Sequence, residues 1–238
     1  MQAKTSPRPG RTVGRSTPTE TILVTGFEPF GGESVNPSSM VAKRLHGWPA
    51  GGGARIVSVE LPCVFGAAIS RLREAIDRYE PTVVIALGQA SGRTDISVER
   101  VALNVDDARI ADNAGAQPID EAVIPGAPTA YLSSLPIKRI VADLRHDGIP
   151  ASVSQSAGTF VCNHVFFGLA HAIATRSPTS PPMRGGFVHL PCLPEQAATI
   201  GDATASMTIE TMEIALRRIV KTVLQTTSDI RQTGGSIA

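Results

Sequence analysis

The amino-acid sequence predicts an α/β fold: a single three-layer α/β/α domain with a mostly parallel central sheet and a small hairpin arm. Short apolar runs, each bounded by glycine or proline, alternate along the chain with segments of helical periodicity. Such alternation is typical of a parallel sheet that helices cover on both faces. The length of 238 residues suits one large domain, and the sequence shows no internal repeat.

Five short segments have the length and the β-branched content of buried strands. Residues 96–104 are more polar and alternate in character, and we expect them to form a hairpin or an edge arm beside the sheet. The five strand segments are residues 22–25, 56–61, 83–87, 152–155 and 187–190.

Four longer segments have helical character, most clearly where apolar residues recur at the three- and four-residue spacing of an amphipathic helix. The first covers residues 65–79 and ends before Pro81, and the second covers residues 137–144 and closes at Gly148. The third covers residues 162–171. The fourth is a long C-terminal helix over residues 212–223.

The two ends of the chain are expected to lie outside the folded domain. Residues 1–20 are rich in proline, glycine, serine and threonine, and residues 227–238 have a similar polar composition without the proline. Segments of this kind bury too little apolar surface to become ordered. We therefore predict a flexible N-terminal tail, a folded domain over residues 21–226 and a frayed C-terminal tail. The N-terminal segment is arginine-rich like a transit peptide, but its prolines disfavour the amphipathic helix of such peptides.

Composition and charge exclude several classes of partner. Lysine and arginine number 22 against 21 acidic residues, which leaves no basic surface for nucleic acid or for an acidic membrane. No apolar run approaches the roughly 20 residues that a membrane span needs. The three cysteines cannot all pair, and none lies in a CxxC spacing. Free thiols of this kind indicate a reducing compartment, so we expect a cytoplasmic protein.

Four loops follow predicted strands, in the position where α/β sheets place their ligand sites. Six of the seven phenylalanines lie in or near three of these loops, which predicts an aromatic-walled pocket there. We expect Phe166, Phe167 and Phe187 to belong to the core instead. The four loops read GFEPFGG, GQASGR, SAGTFVCNH and LPCLPEQ.

Cys162 is the strongest candidate for a nucleophile. The residues before it read as a turn, so Cys162 falls in the first turn of a predicted helix. The positive end of the helix dipole lowers the pKa of a thiol in that position. A buried, inert cysteine fits the spacing equally well. Cys63 and Cys192 each follow a proline at the end of a strand, and we expect both to be inert.

His189 is the strongest of five candidates for a base, because it ends a strand at the edge where the site is expected. His46 and His146 lie near helix ends, where a cation is favourable. His164 lies two positions after the candidate cysteine on the same helix and therefore points away from it. His171 is too far along that helix to share a metal ion with His164. A core histidine held by hydrogen bonds remains the alternative for His189.

Metal and nucleotide sites are not predicted. The sequence has no HExxH motif and no paired CxxC motifs, and GFEPFGG lacks the Lys-Ser/Thr of a phosphate loop. What remains is a thiol with a histidine, a pair that needs a third group to orient the imidazole. Glu99, in SVERVALN, is a candidate because apolar residues flank it. Spacing alone does not select it from the 21 acidic residues.

From Thr21 to the C-terminal helix, the chain resembles the pyroglutamyl peptidase I family, also called pyrrolidone-carboxylate peptidases. Four separate motifs in the same order make the resemblance highly specific. One departure is Ser91, where the family usually has a small non-polar residue. The matching motifs are ILVTGFEPFGGESVNPS, GQASGRTDISVERVALNVDDARIADNAG, SAGTFVCNHVFFGLAH and GGFVHLPCLPEQ.

The resemblance implies that Glu99, Cys162 and His189 form a catalytic triad. The implied reaction is hydrolysis of N-terminal pyroglutamyl (5-oxoprolyl) residues from peptides through an acyl-enzyme. It further implies a catalytic α/β/α domain, no cofactor, a cytosolic location and usually a homotetramer. Arg109 matches a family arginine that assists the oxyanion, and Gln89 matches the residue that reaches the lactam.

The implied substrate suits an apolar pocket. Pyroglutamate has closed its amine into a neutral lactam, so its pocket needs a few amide partners and no charged residue. Phe27, Phe30 and Phe160 are expected to wall the flat ring. Two other functions stay open: another cysteine amidohydrolase acting on a small cyclic or acylated amide, and a binding module without turnover. A module without turnover would not need all three members of the triad, which speaks against the second.

Overall fold

The protein is described by a computed structural model over residues 20–201 and 204–235. Residues 1–19 of the predicted N-terminal tail and residues 236–238 of the predicted C-terminal tail therefore lie outside the described residues. Within those ranges the chain forms eight strands and six helices. The strands are β1 Thr21–Phe27, β2 Arg55–Leu61, β3 Val83–Gln89, β4 Ile96–Glu99, β5 Val101–Leu103, β6 Ala130–Leu132, β7 Ala151–Ser154 and β8 Arg184–Leu190. The helices are α1 Pro37–Leu45, α2 Ala67–Tyr79, α3 Ile137–His146, α4 Val161–Ala174, α5 Pro194–Ile200 and α6 Ile209–Gln225.

Six strands form one sheet in the order β2-β1-β3-β8-β4-β7, and β5 with β6 forms a separate two-stranded arm. Strands β2, β1, β3 and β8 run parallel to one another. Strand β4 is antiparallel to β8, and β7 is parallel to β4. The last two strands therefore run opposite to the other four. The predicted α/β class with a mostly parallel sheet is confirmed.

Helices cover both faces of the sheet. Helices α1, α3 and α6 pack on one face, and α2 and α4 pack on the other. Three phenylalanines, Phe166, Phe167 and Phe187, are fully buried in the layer between the sheet and α4, as the sequence predicted. Among the described residues, no helix is both long and apolar enough to cross a membrane.

The prediction of a hairpin or edge arm over residues 96–104 is wrong for its first half. Strand β4 lies inside the sheet between β8 and β7, and only β5 belongs to the arm. The alternation of polar and apolar residues is real, but both sides of β4 are buried. Ile96 and Val98 face the hydrophobic core on one side, and the polar side chains of Ser97 and Glu99 are equally buried on the other.

Helices α1 and α5 and strand β6 were not predicted from the sequence. Helix α1 nevertheless carries a clear start signal, because the Asn36 side chain accepts a hydrogen bond from the Ser38 N–H and Pro37 occupies the first helical position. Helix α5 has only seven residues and β6 only three, lengths at which periodicity carries little information.

The expected fraying of residues 227–238 does not describe residues 227–235, which lie against the domain. The Asp229 carboxylate accepts hydrogen bonds from the N–H groups of Lys138 and Arg139, at 3.0 and 2.9 Å. These groups belong to the first turn of α3, whose own N-cap residue, Pro136, offers no side-chain cap. Further along, the Gly234 carbonyl accepts a hydrogen bond from Arg100.

We expect Asp229→Ala to lower the free energy of unfolding by about 1 kcal/mol, because two N–H groups of α3 lose their acceptor. Urea titration followed by circular dichroism measures this loss. Asp229→Asn is the matched control and should retain most of the stability, since an amide oxygen still caps the helix. An Ala variant as stable as the wild type would show that the cap contributes nothing.

Candidate active site

The pairing of β4 with β8 places Glu99 beside His189. Ser97 is the cross-strand partner of His189, and Glu99 lies two residues further along β4 on the same face. Diagonal neighbours of this kind are within reach of long side chains. The His189 Nδ1 atom lies 2.7 Å from Glu99 Oε1, and both side chains are buried. Glu99 can therefore orient the imidazole and leave Nε2 for chemistry.

Cys162 joins this pair from the helix layer. It is the second residue of α4, in the first helical turn as predicted. Its sulfur lies over Gly88, where a methyl group at Cα would come within 2.8 Å of Sγ. Gly88 is the register partner of His189 in the parallel β3–β8 pair. The thiol and the imidazole therefore occupy neighbouring positions on one face of the sheet.

The loop that leads to Cys162 does not start at the edge that the sequence analysis expected. Strand β7 runs opposite to β3 and β8, so its carboxyl end lies away from theirs. Ser154, the last residue of β7, is paired with Glu99. Residues 155–160 then carry the chain to the start of α4. The four loops were predicted at one edge because sequence patterns carry no information on strand direction.

Hydrogen bonds from a buried asparagine hold α4 in place. Asn163 Oδ1 accepts from the Leu103 N–H, and Asn163 Nδ2 donates to the carbonyls of Leu103 and Val105, each at 2.9 Å. Thr159 adds a 2.7 Å hydrogen bond to the Asp107 carbonyl. The residue next to Cys162 is thus fixed to the arm, which limits how far the thiol can move.

The thiol itself is not acidified in the resting protein. Burial raises the pKa of Cys162 above its ordinary value, the Cys63 sulfur and the Glu99 carboxylate raise it further, and the Arg93 cation lowers it. The residue is partly exposed, but its sulfur is packed against Gly88. Burial is the largest cause acting on this thiol, and it acts against the lowered pKa that the position at the start of α4 predicted.

Arg93 is a site residue that the sequence analysis missed. Its Nη1 lies 3.2 Å from Glu99 Oε1, and its Nη2 donates to the Ser156 carbonyl at 3.1 Å. A signal was available, because Arg93 ends the GQASGR loop directly after β3, where a basic side chain can reach a buried carboxylate.

An open cleft of about 350 Å³ lies beside the first turn of α4. Phe30 and Phe160 contribute two of its walls, with ring centroids 6.1 Å apart. Arg109 is exposed and lines the same cleft. Its remaining lining residues are Asp107, Ile110 and Thr159.

Phe27 and Gln89 do not line that cleft. Phe27 is 2% exposed, and its ring packs against Phe187 at a centroid distance of 6.4 Å. Gln89, at the end of β3, is also buried. Its Oε1 accepts from Gln196 at 3.3 Å, and its Nε2 lies 3.5 Å from the Cys192 sulfur.

A second histidine–carboxylate pair serves the structure. His164 Nδ1 lies 2.7 Å from Asp106 Oδ2, and the Gly66 N–H donates to His164 Nε2 at 2.8 Å. Both ring nitrogens are therefore occupied, which leaves none to act as a base. Within residues 20–201 and 204–235, no group of three or more potential ligands could hold a metal ion.

Comparisons with known proteins agree on one family. A family model described as pyroglutamyl peptidase matches residues 20–226. A pyrrolidone-carboxylate peptidase from Cupriavidus pinatubonensis is 54% identical over 91% of this chain and 99% of its own length. One from Enterobacter sp. strain 638 is 56% identical over 90% and 98%. The crystal structure of pyroglutamyl peptidase I from Bacillus amyloliquefaciens has a TM-score of 0.85 and 46% identity, over 90% of this chain and 99% of that one.

Alkylation should modify Cys162 before either of the other two cysteines. Cys63 and Cys192 are 3% and 0% exposed, so the reagent has little access to their sulfurs. Cys162 is partly exposed, and His189, at the position next to the space that its sulfur fills, can accept its proton. Iodoacetamide treatment followed by peptide mass mapping measures the order of labelling. Equal labelling of all three thiols would contradict this prediction.

Gly88→Ala should slow the alkylation of Cys162 by about 10- to 100-fold, because the new methyl group displaces the thiol from the imidazole. The methyl would also come within 2.8 Å of Phe187. Gly234→Ala is the matched control, since a methyl there meets no atom closer than 3.4 Å. An unchanged rate of Cys162 labelling in Gly88→Ala would show that the reactivity of the thiol does not depend on the space above Gly88.

Proposed function

The chain belongs to the pyroglutamyl peptidase family, and we propose that it removes N-terminal pyroglutamyl residues from peptides as a cysteine exopeptidase. Cys162 is the nucleophile, His189 the base and Glu99 the group that orients the imidazole. The observation that carries the proposal is the 2.7 Å contact between His189 and Glu99 beside the Cys162 sulfur.

The raised pKa of the Cys162 thiol supports a base-assisted attack. His189 Nε2 takes the thiol proton while the sulfur forms a bond to the pyroglutamyl carbonyl carbon. The resulting oxyanion is stabilised by free N–H groups in the first turn of α4 and by the Arg109 cation, which lines the adjoining cleft.

Collapse of the tetrahedral intermediate breaks the peptide C–N bond. The imidazolium gives its proton to the leaving amine, and the pyroglutamyl group stays on the sulfur as a thioester. Water, deprotonated by the same imidazole, then attacks the thioester carbonyl. This second step releases free pyroglutamate and restores the Cys162 thiol and the neutral base.

The aromatic walls of the cleft support the choice of a lactam. Phe30 and Phe160 form aromatic walls, and Phe27 supports the site from the core side through Phe187. Gln89, which the family resemblance assigns to the lactam, is buried at the end of β3 outside that cleft, and Gln196 donates to its amide oxygen. A site with these partners recognises a neutral ring with an N–H and a carbonyl, and it disfavours a charged amine.

We also propose a cytoplasmic homotetramer that works without a cofactor. Three free cysteines in the described part of the chain support a reducing compartment. Size-exclusion chromatography with light scattering tests the number of subunits.

The test of function compares a pyroglutamyl fluorophore with its prolyl analogue. Proline lacks the ring carbonyl and carries a charged nitrogen, so its cleavage should be about a thousandfold slower or worse. Gln89→Ala should slow pyroglutamyl cleavage while alkylation of Cys162 stays intact, and Cys162→Ser should abolish cleavage. Comparable rates for the two substrates would favour the general cysteine amidohydrolase instead.

A further inference from the structure

We propose that Arg93 is a positioning residue for this reaction, bridging the Glu99 carboxylate and the loop that carries the nucleophile's helix. The inference rests on the proposed function, because it assigns Arg93 to the same site. The supporting observations are two contacts of one guanidinium group and an unpartnered oxygen on Glu99.

The guanidinium group of Arg93 makes contacts in two directions. Nη1 lies 3.2 Å from Glu99 Oε1, the same oxygen that contacts His189. Nη2 donates to the Ser156 carbonyl, in the segment between β7 and α4. A planar group with several donors suits such a bridge, whereas a lysine ammonium is a single point charge. Arg93 thus joins the loop after β3 to the chain that leads to Cys162.

The carboxylate needs this contact because it is buried. Glu99 is fully buried, and within the described residues its Oε2 has no hydrogen-bond partner. Oε1 alone therefore holds the carboxylate, between Arg93 on one side and His189 on the other. A buried charge without compensation is costly. Without Arg93, the Glu99 carboxylate would contact only the His189 imidazole, and it would be free to rotate.

The charge of Arg93 also affects the pKa of the Cys162 thiol. The groups whose charge acts on Cys162 are Glu99 on β4, Arg93 on the loop after β3 and Cys63 before α2. His189 on β8 is the register partner of Gly88, over which the Cys162 sulfur lies. Arg93 is the member of this group that lowers the pKa of the thiol, while burial, Cys63 and Glu99 raise it. Loss of the cation should therefore raise the pKa of Cys162 further. The pH at which alkylation becomes fast should then move upward.

The experiment compares Arg93→Gln, Arg93→Lys and Arg93→Ala with the wild type. For the Gln variant we expect kcat on the pyroglutamyl fluorophore to fall about 10- to 100-fold with KM changed by less than about twofold. Its pH profile of Cys162 alkylation should shift upward. For the Lys variant we expect a reduced kcat but a pH profile near that of the wild type, because the charge remains and the bridge is lost. Low millimolar guanidinium should partly restore the activity of Arg93→Ala.

Arg145→Gln is the matched control, because Arg145 also donates to a strand carbonyl, that of Ala151, without contacting Glu99, Cys162 or His189. It should leave kcat and the pH profile unchanged. A Gln variant at Arg93 with wild-type kcat and wild-type pH profile would overturn the proposal. So would a loss of activity that follows only a loss of thermal stability, with no pH shift and no rescue by guanidinium. Should the wild type itself fail to cleave the substrate, the alkylation profile still tests Arg93, separately from the proposed function.

Discussion

The short contact between Glu99 and His189 is the interaction on which the site depends, and it exists only because β4 enters the sheet antiparallel to β8. In a uniformly parallel sheet, the loop after β3 would have to cross over before the next strand could begin. Here six residues separate the end of β3 from the start of β4, which runs back along β8. That reversal brings the carboxylate at the end of β4 against the imidazole near the end of β8. Burial at this point removes water as a competitor for both groups.

The thiol can lie next to that pair because the sheet has no side chain at position 88. Gly88 has no side chain, and the sulfur of Cys162 occupies the space above it. Hydrogen bonds from Asn163 to Leu103 and Val105 hold helix α4 against the arm in this position. The arm, the helix and the sheet therefore form one rigid support. Rigid support of this kind favours a reaction that needs the nucleophile and the base within a fraction of an ångström of their working positions.

Much of this arrangement could be predicted from the sequence. The features that could not be predicted depend on contacts between distant parts of the chain. The strands with long apolar runs and the helices with clear periodicity were found because each buries one continuous surface. Strand direction was not predictable, since an antiparallel β4 and an edge arm give the same local pattern in SVERVALN. The direction of the pKa shift at Cys162 was not predicted, because the local sequence shows the position of a residue in a helix but not its burial. Burial of this sulfur comes from residues far away in the sequence, such as Gly88. Arg93 was missed for the same reason, because its partners lie on β4 and before α4.

The raised pKa of Cys162 has a consequence for oxidative damage. Peroxides react with the thiolate form of cysteine, so a nucleophile that rests as a neutral thiol is a poor target for them. Peptidases that rest as a thiolate–imidazolium pair expose the reactive sulfur whether or not substrate is bound. In the mechanism proposed above, the proton leaves Cys162 when His189 takes it, so the sulfur is most reactive during turnover. The idle protein should therefore persist under oxidant stress longer than the working one.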